Sequence, residues 1–201
     1  TGDSFGSSLS LSANGDVIAV GAPHNDDNGT DSGHVRVYKW TGEGWVQKGV
    51  DIQGEDRFND FGHAVSLSAD GSTLAIGAPY NEGNGEYSGY TRIYQWIDSV
   101  WVQKAVDIYG DGARYFSGTA VSLSSDGQAI AIGAPQNDGS QNLPGQVSVY
   151  ALDQIPPYAR GKTVTVVEQV KTEFQLFGAD LNSDVINYKI DTPPLHGSAS
   201  I

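Results

Sequence analysis

The tripeptide Gly-Ala-Pro occurs three times at a fixed spacing of 56 residues, as Gly21-Ala22-Pro23, Gly77-Ala78-Pro79 and Gly133-Ala134-Pro135. Its surroundings keep the same register. Ser-Leu-Ser recurs at 10–12, 66–68 and 122–124, and Trp40/Trp96, Trp45/Trp101 and Val46-Gln47-Lys48/Val102-Gln103-Lys104 share the offset. About half of the positions in the first two units are identical, which marks a repeat architecture. With a period this long, each unit is one supersecondary element that buries its apolar face by stacking on a neighbour.

Within a unit the pattern reads as four short strands. In the second, Ala64-Val65-Ser66-Leu67-Ser68 alternates, and Ala69-Asp70-Gly71-Ser72 supplies a tight turn. Thr73 to Ala78 is a nearly continuous apolar run, as in a strand buried on both faces. A Gly/Asn-rich loop leads to Thr91–Trp96, and a short connection leads to a fourth strand over Trp101–Ile108. Four antiparallel strands per unit describe a β-propeller blade, and a closed propeller takes about 4–8 of them. Three units fall short of that, so further blades upstream in a precursor, or packing against other chains, are expected. The fold class is all-β: blades over about 5–60, 61–116 and 117–152, the third incomplete.

Beyond Tyr150 the rhythm changes. Asp153-Gln154-Ile155-Pro156-Pro157 opens a linker at 153–159. Strand-like runs at 163–167, 173–177 and 185–190 read as the first part of a β-sandwich over 160–201.

Composition narrows the function. Cysteine is absent, which excludes disulfides and thiolate metal sites, and methionine is absent, so a piece of a longer precursor is expected. The formal net charge of −13 disfavours nucleic acid and anionic lipid, and it attracts divalent cations. No apolar run approaches the length needed to span a membrane as a helix.

Residues 1–152 resemble the FG-GAP repeats, the propeller repeats of integrin alpha subunits and of secreted microbial and algal proteins of marine type. The motif stands here as Phe5-Gly6 with Gly21-Ala22-Pro23, and Phe61-Gly62 with Gly77-Ala78-Pro79; the third unit has Ser117-Gly118 instead. The tail is similar to cadherin-like bacterial sandwich repeats through Glu168, Ala179-Asp180, Ile186-Asn187-Tyr188 and Thr192-Pro193-Pro194-Leu195-His196-Gly197. Together these resemblances imply an extracellular or cell-surface module, adhesive or structural and not an enzyme. Its partners would be other protein chains, copies of itself, or glycans. A subunit of an extracellular filament of the flagellar-hair type and an accessory propeller of a secreted enzyme are the alternatives.

Candidate sites follow from residue chemistry. The integrin-type calcium loop has shrunk to hairpin turns at Asn14, Asp70 and Asp126, too poor in oxygens for calcium's six to eight ligands. If calcium is a cofactor, the oxygen-rich loop with Asn25, Asp26, Asp27 and Asp31, or the loop with Asp180, Asn182 and Asp184, is where it would bind; solvated turns are the competing reading. Asn28-Gly29-Thr30 is a glycosylation sequon. Period two places Arg36, Tyr38 and Trp40 on one strand face, and Arg92, Tyr94 and Trp96 repeat it. That stripe either packs between blades or meets a glycan or protein partner. Gly2-Asp3-Ser4-Phe5-Gly6 fits Gly-x-Ser-x-Gly, but the nucleophile elbow needs a following helix, and none is expected.

Overall fold

The computed structural model describes residues 2–135 and 145–154, together with a short strand pair at 158–159 and 178–179. The chain is all-β in antiparallel sheets, and the one helical element among the described residues is a 3₁₀ turn at Leu152–Gln154. The first sheet contains β1 (Ser8–Leu11), β2 (Val17–Ala22), β3 (His34–Trp40), β4 (Trp45–Gln47) and β5 (Ile52–Gln53). The second repeats it with β6 (Ala64–Leu67), β7 (Thr73–Ala78), β8 (Tyr90–Ile97), β9 (Val100–Gln103) and β10 (Ile108–Tyr109). The third has β11 (Ala120–Leu123), β12 (Ala129–Ala134) and β13 (Gln146–Ala151). Tyr158–Ala159, inside the expected linker, pairs with Gly178–Ala179. The expected sandwich otherwise lies outside the described residues.

One expectation needs correction. The fourth strand of a unit is not continuous: β4 and β5 both pair with β3, and β9 and β10 both pair with β8. In the first sheet the break falls at Lys48–Asp51, where Gly49 has φ +89°. A Cβ on Gly49 would stand 3.0 Å from the rings of both Trp96 and Trp101. The Lys48 carbonyl accepts a 2.9 Å hydrogen bond from Trp101 Nε1. The chain leaves its own ladder here to seat against the next sheet.

Register decides which side chains share a face. Leu9, Val20 and Arg36 line up across the first sheet, as do Leu11, Ile18 and Tyr38. The opposite face carries Ser10, Ala19 and Val37 with Ser8, Gly21 and Val35. That second face packs on the second sheet, in a core of Val17, Ala19, Val35 and Val37 against Val65, Leu67, Leu74 and Ile76. A second core joins Ala75, Ile93 and Ile108 to Val121, Leu123, Ile130 and Ile132 of the third sheet. The sheets stack face to face, as propeller blades do.

The Gly-Ala-Pro glycine has a specific task in this stacking. A Cβ on Gly21 would lie 2.1 Å from the Gly62 carbonyl oxygen, and one on Gly77 would lie 2.0 Å from that of Gly118. The Phe61-Gly62 and Ser117-Gly118 pairs thus lay their backbone on the Gly-Ala-Pro half of the preceding unit. Only glycine leaves room for that approach.

Candidate functional site

The Arg/Tyr/Trp stripe takes two forms. In the second sheet it is internal. Arg92 is buried, with Nε and Nη2 each 2.7 Å from the two oxygens of Asp107, and Nη1 3.1 Å from Glu55 of the first unit. Its guanidinium lies 5.2 Å from the Tyr90 ring and 6.0 Å from that of Phe61. Burial alone would lower its pKa, but the paired Asp107 outweighs this and the group stays charged. Trp96 and Trp101 sit 5.2 Å apart, and Lys48 Nζ lies 4.8 and 5.0 Å over their rings while donating to the Gly71 carbonyl at 2.7 Å. Burial lowers the Lys48 pKa. The cation–π contact and the carbonyl bond offset part of that desolvation. Arg92, Tyr94 and Trp96 therefore belong to a junction within the chain.

In the first sheet the equivalent residues are open. Arg36 pairs with Asp51 at 2.9 and 2.7 Å and lies 5.9 Å from the Phe5 ring, and Trp40 packs on Trp45 at 5.6 Å. Phe5, Leu9, Leu11, Trp40, Trp45 and Val46 are all exposed. Among the described residues nothing lies over the tryptophan pair as Lys48 does over the second. The result is an exposed apolar and aromatic face that also carries the Arg36–Asp51 ion pair.

The loop at 25–31 uses most of its oxygens on itself. Asn25 is buried, its amide donates to Asp3 at 2.9 Å, and its Oδ1 accepts from the Asp27 N–H at 3.0 Å. Asp26 accepts from the N–H of Asp31, which stands at φ +48°. Of the expected calcium ligands here, Asp27 alone joins a group able to share an ion, with His34 and Asp51, whose ligand atoms lie within 4.8 Å of one another. His34 is buried, and neither ring nitrogen has a hydrogen-bond partner. Burial, and then the nearby Arg36, hold its pKa below the ordinary value. Asp51, however, is already engaged by Arg36 and by Gln47 at 2.6 Å. An imidazole is also no part of calcium's oxygen-only preference. Asp180, Asn182 and Asp184 lie outside the described residues.

The shrunken hairpin turns close on themselves. Asp70 accepts from Ser68 Oγ, Ser72 Oγ and the Ser72 N–H at 2.6, 2.7 and 3.0 Å. Partial burial would raise its pKa, but these donors bring it below the ordinary value. Asn14 and Asp126 accept equivalent bonds.

Asn28 has a structural duty that its sequon did not suggest. Its Nδ2, the atom a glycan would occupy, donates to the Gly54 carbonyl at 2.7 Å. Asn84, one period later and outside any sequon, donates to Gly110 at 2.7 Å.

One constellation escaped sequence reasoning. Ser4 Oγ lies 3.1 Å from His24 Nδ1, and His24 Nε2 lies 3.6 Å from Asp60 Oδ2. Burial raises the Asp60 pKa, against the pull of His24 and His63. The order resembles a nucleophile, base and orienting acid. Ser4 is also at φ +55°, as an elbow serine would be; but Asp60 and Phe116, one and two periods on, stand at +52°. That backbone belongs to the repeat. Second-unit counterparts of the trio are Asp60, Tyr80 and Phe116, of which the last two pack edge to face at 5.6 Å. No sequence spacing signals the trio, because the fold alone brings its members together.

Residues 1–38 match the family model described as FG-GAP repeat. The match runs from the Phe-Gly turn through Gly-Ala-Pro and into β3. No curated protein matches the sequence. Among solved structures, Kuenenia stuttgartiensis hydrazine synthase is similar to 72% of this chain at 15% identity, with a TM-score of 0.46. The chain spans 33% of that structure's length, and a likeness this slight carries no argument. Among the described residues no helix is long and apolar enough to cross a membrane.

Proposed function

We propose that this chain is a non-enzymatic extracellular module, structural or adhesive, that works through contacts with other protein chains or glycans at a cell surface. The observation that carries the reading is the open face of the first sheet. Arg36, Trp40 and Trp45 stand ready there with Leu9 and Leu11, and a contiguous apolar patch on a soluble chain marks an interaction site. Tryptophan and arginine are also the residues that dominate binding energy at interfaces. The FG-GAP match, the acidic surface and the lack of cysteine all suit an exterior location.

Beads coated with the chain supply the test, with adhesion measured to surfaces bearing matrix polysaccharides or the chain itself. Replacing Trp40 and Trp45 by alanine is expected to lower adhesion at least about tenfold, the order of one or two hot-spot side chains. Unchanged adhesion overturns the reading.

The Ser4–His24–Asp60 trio favours a second, enzymatic reading. Against it, Ser4 also donates to the Gly2 carbonyl at 3.3 Å, and His24 is half-exposed to water. A fluorophosphonate probe is expected to leave Ser4 unlabelled. Stoichiometric labelling that disappears in His24→Ala would make the chain a serine hydrolase.

A further inference from the structure

The two junctions inside this chain share three contacts, while the Arg92–Glu55 and Lys48–Gly71 bonds belong to the first junction alone among the described residues. Leu67 N–H donates to Ser10 Oγ at 2.9 Å, and Leu123 N–H donates to Ser66 Oγ at 2.9 Å. Ala13 N–H donates to the Ala69 carbonyl at 2.8 Å, and Ala69 N–H to that of Ser125 at 2.9 Å. Gly62 and Gly118 place their carbonyls over Gly21 and Gly77. The face with Val35 and Val37 covers the alternating apolar face of the second sheet, and the face with Ala75 and Ile93 covers that of the third.

Among the described residues both halves of this joint are also present uncovered. Leu9 and Leu11 are 60% and 57% exposed, whereas their counterparts Val65 and Leu67 are 8% and 7% exposed. Val147 and Val149 of the third sheet are 72% and 71% exposed, whereas their counterparts Val35 and Val37 are 0% and 1% exposed. A Cβ on Gly133 would meet the Ala120 side chain at 3.3 Å, with no carbonyl of a neighbouring sheet above it. Ser122 Oγ and the Ser125 N–H have no partner among the described residues.

We infer that the open face of the first sheet takes the open face of the third sheet of a second copy of this chain. This rests on the interaction reading above and names the partner. Leu9 and Leu11 pack on Val147 and Val149 of the other copy. Leu11 N–H donates to Ser122 Oγ, Ser125 N–H donates to the Ala13 carbonyl, and the Gly6 carbonyl lies over Gly133. Such a contact joins unlike faces, so it propagates into a chain of copies or closes into a ring.

The logic of unlike faces gives a sharp experiment. Sedimentation velocity and light scattering on the 201-residue chain should show a mass that rises above the monomer with concentration. Leu11→Asp and Val149→Asp alter exposed side chains, so each should keep the parent circular dichroism and the Tm of the dilute, unassociated parent. Each alone should be monomeric. An equimolar mixture should form a one-to-one pair and nothing larger, because one intact face of each kind remains. Gly133→Ala should fold and associate more weakly. A parent chain that stays monomeric, a variant that still associates alone, or a mixture that stays monomeric overturns the inference. Monomers that still adhere through Trp40 and Trp45 would leave the interaction reading standing with a different partner.

Discussion

At the residue scale, Arg36 and Arg92 make a matched pair in different surroundings. Both reach an aspartate 15 residues further on, but Arg92 and Asp107 are nearly buried while Arg36 and Asp51 are partly wet. Arg92→Met strands a buried carboxylate, which costs about 3–5 kcal/mol. Arg36→Met removes a screened pair, worth ~1 kcal/mol or less. Urea unfolding of both variants measures the contrast, and equal losses would contradict it. His34 gives a pH prediction. Its pKa is held below 6.5 in the folded chain, by burial first and then by Arg36, against the pull of Asp51, Asp27 and Asp3. A depressed histidine contributes stability that is full above the unfolded value of about 6.5 and is lost as pH falls below it. Tm should therefore drop between pH 7 and pH 5. His34→Tyr, which installs the residue found at the equivalent Tyr90, should flatten that limb. Alternation in the sequence places Arg36 and Arg92 on equivalent faces. It does not reveal their aspartates, which the outer strand delivers only after leaving the ladder.

At the element scale, Gly77 and Gly133 carry the same motif in different company. Gly77→Ala drives a methyl into the Gly118 carbonyl, 2.0 Å away, whereas Gly133→Ala meets only the Ala120 methyl at 3.3 Å. Overpacking of this kind costs about 1–3 kcal/mol, and a rigid backbone neighbour pushes Gly77→Ala to the upper end. Thermal denaturation should show a clear loss of Tm for Gly77→Ala and little change for Gly133→Ala. The strands β2, β7 and β12 are legible as apolar runs, and the hairpins before them as Asn-Gly or Asp-Gly turns. The split of the outer strand is not legible. Trp45 to Ile52 reads as one strand by propensity, and contact between Gly49 and the Trp96–Trp101 pair overrides it. Asn28 shows the same gap from the other side: a sequon is visible in sequence, while the carbonyl its amide serves is 26 residues away.

At the scale of the whole molecule, the period announces stacking, and register announces which face meets which. The trio of Ser4, His24 and Asp60 lay beyond that reading, since its members are far apart in sequence and only the fold brings them together. Stacked repeats draw stability from their own sheets and from nearest-neighbour junctions. The second sheet has both of its faces covered, and all six residues of β7 are buried. The first and third sheets have one covered face each, and β1 and β13 alternate between partly buried and exposed. Local opening is easiest where buried apolar contact is least. Amide hydrogen exchange should therefore be slowest in β7, with β1 and β13 exchanging first. Substituting the junction lysine, Lys48→Ala, removes the Gly71 bond and the tryptophan contact together. It should speed exchange in β1 to β3 more than in β12. Equal acceleration in all three sheets would mean that the chain opens as a single unit, and the nearest-neighbour account would fail.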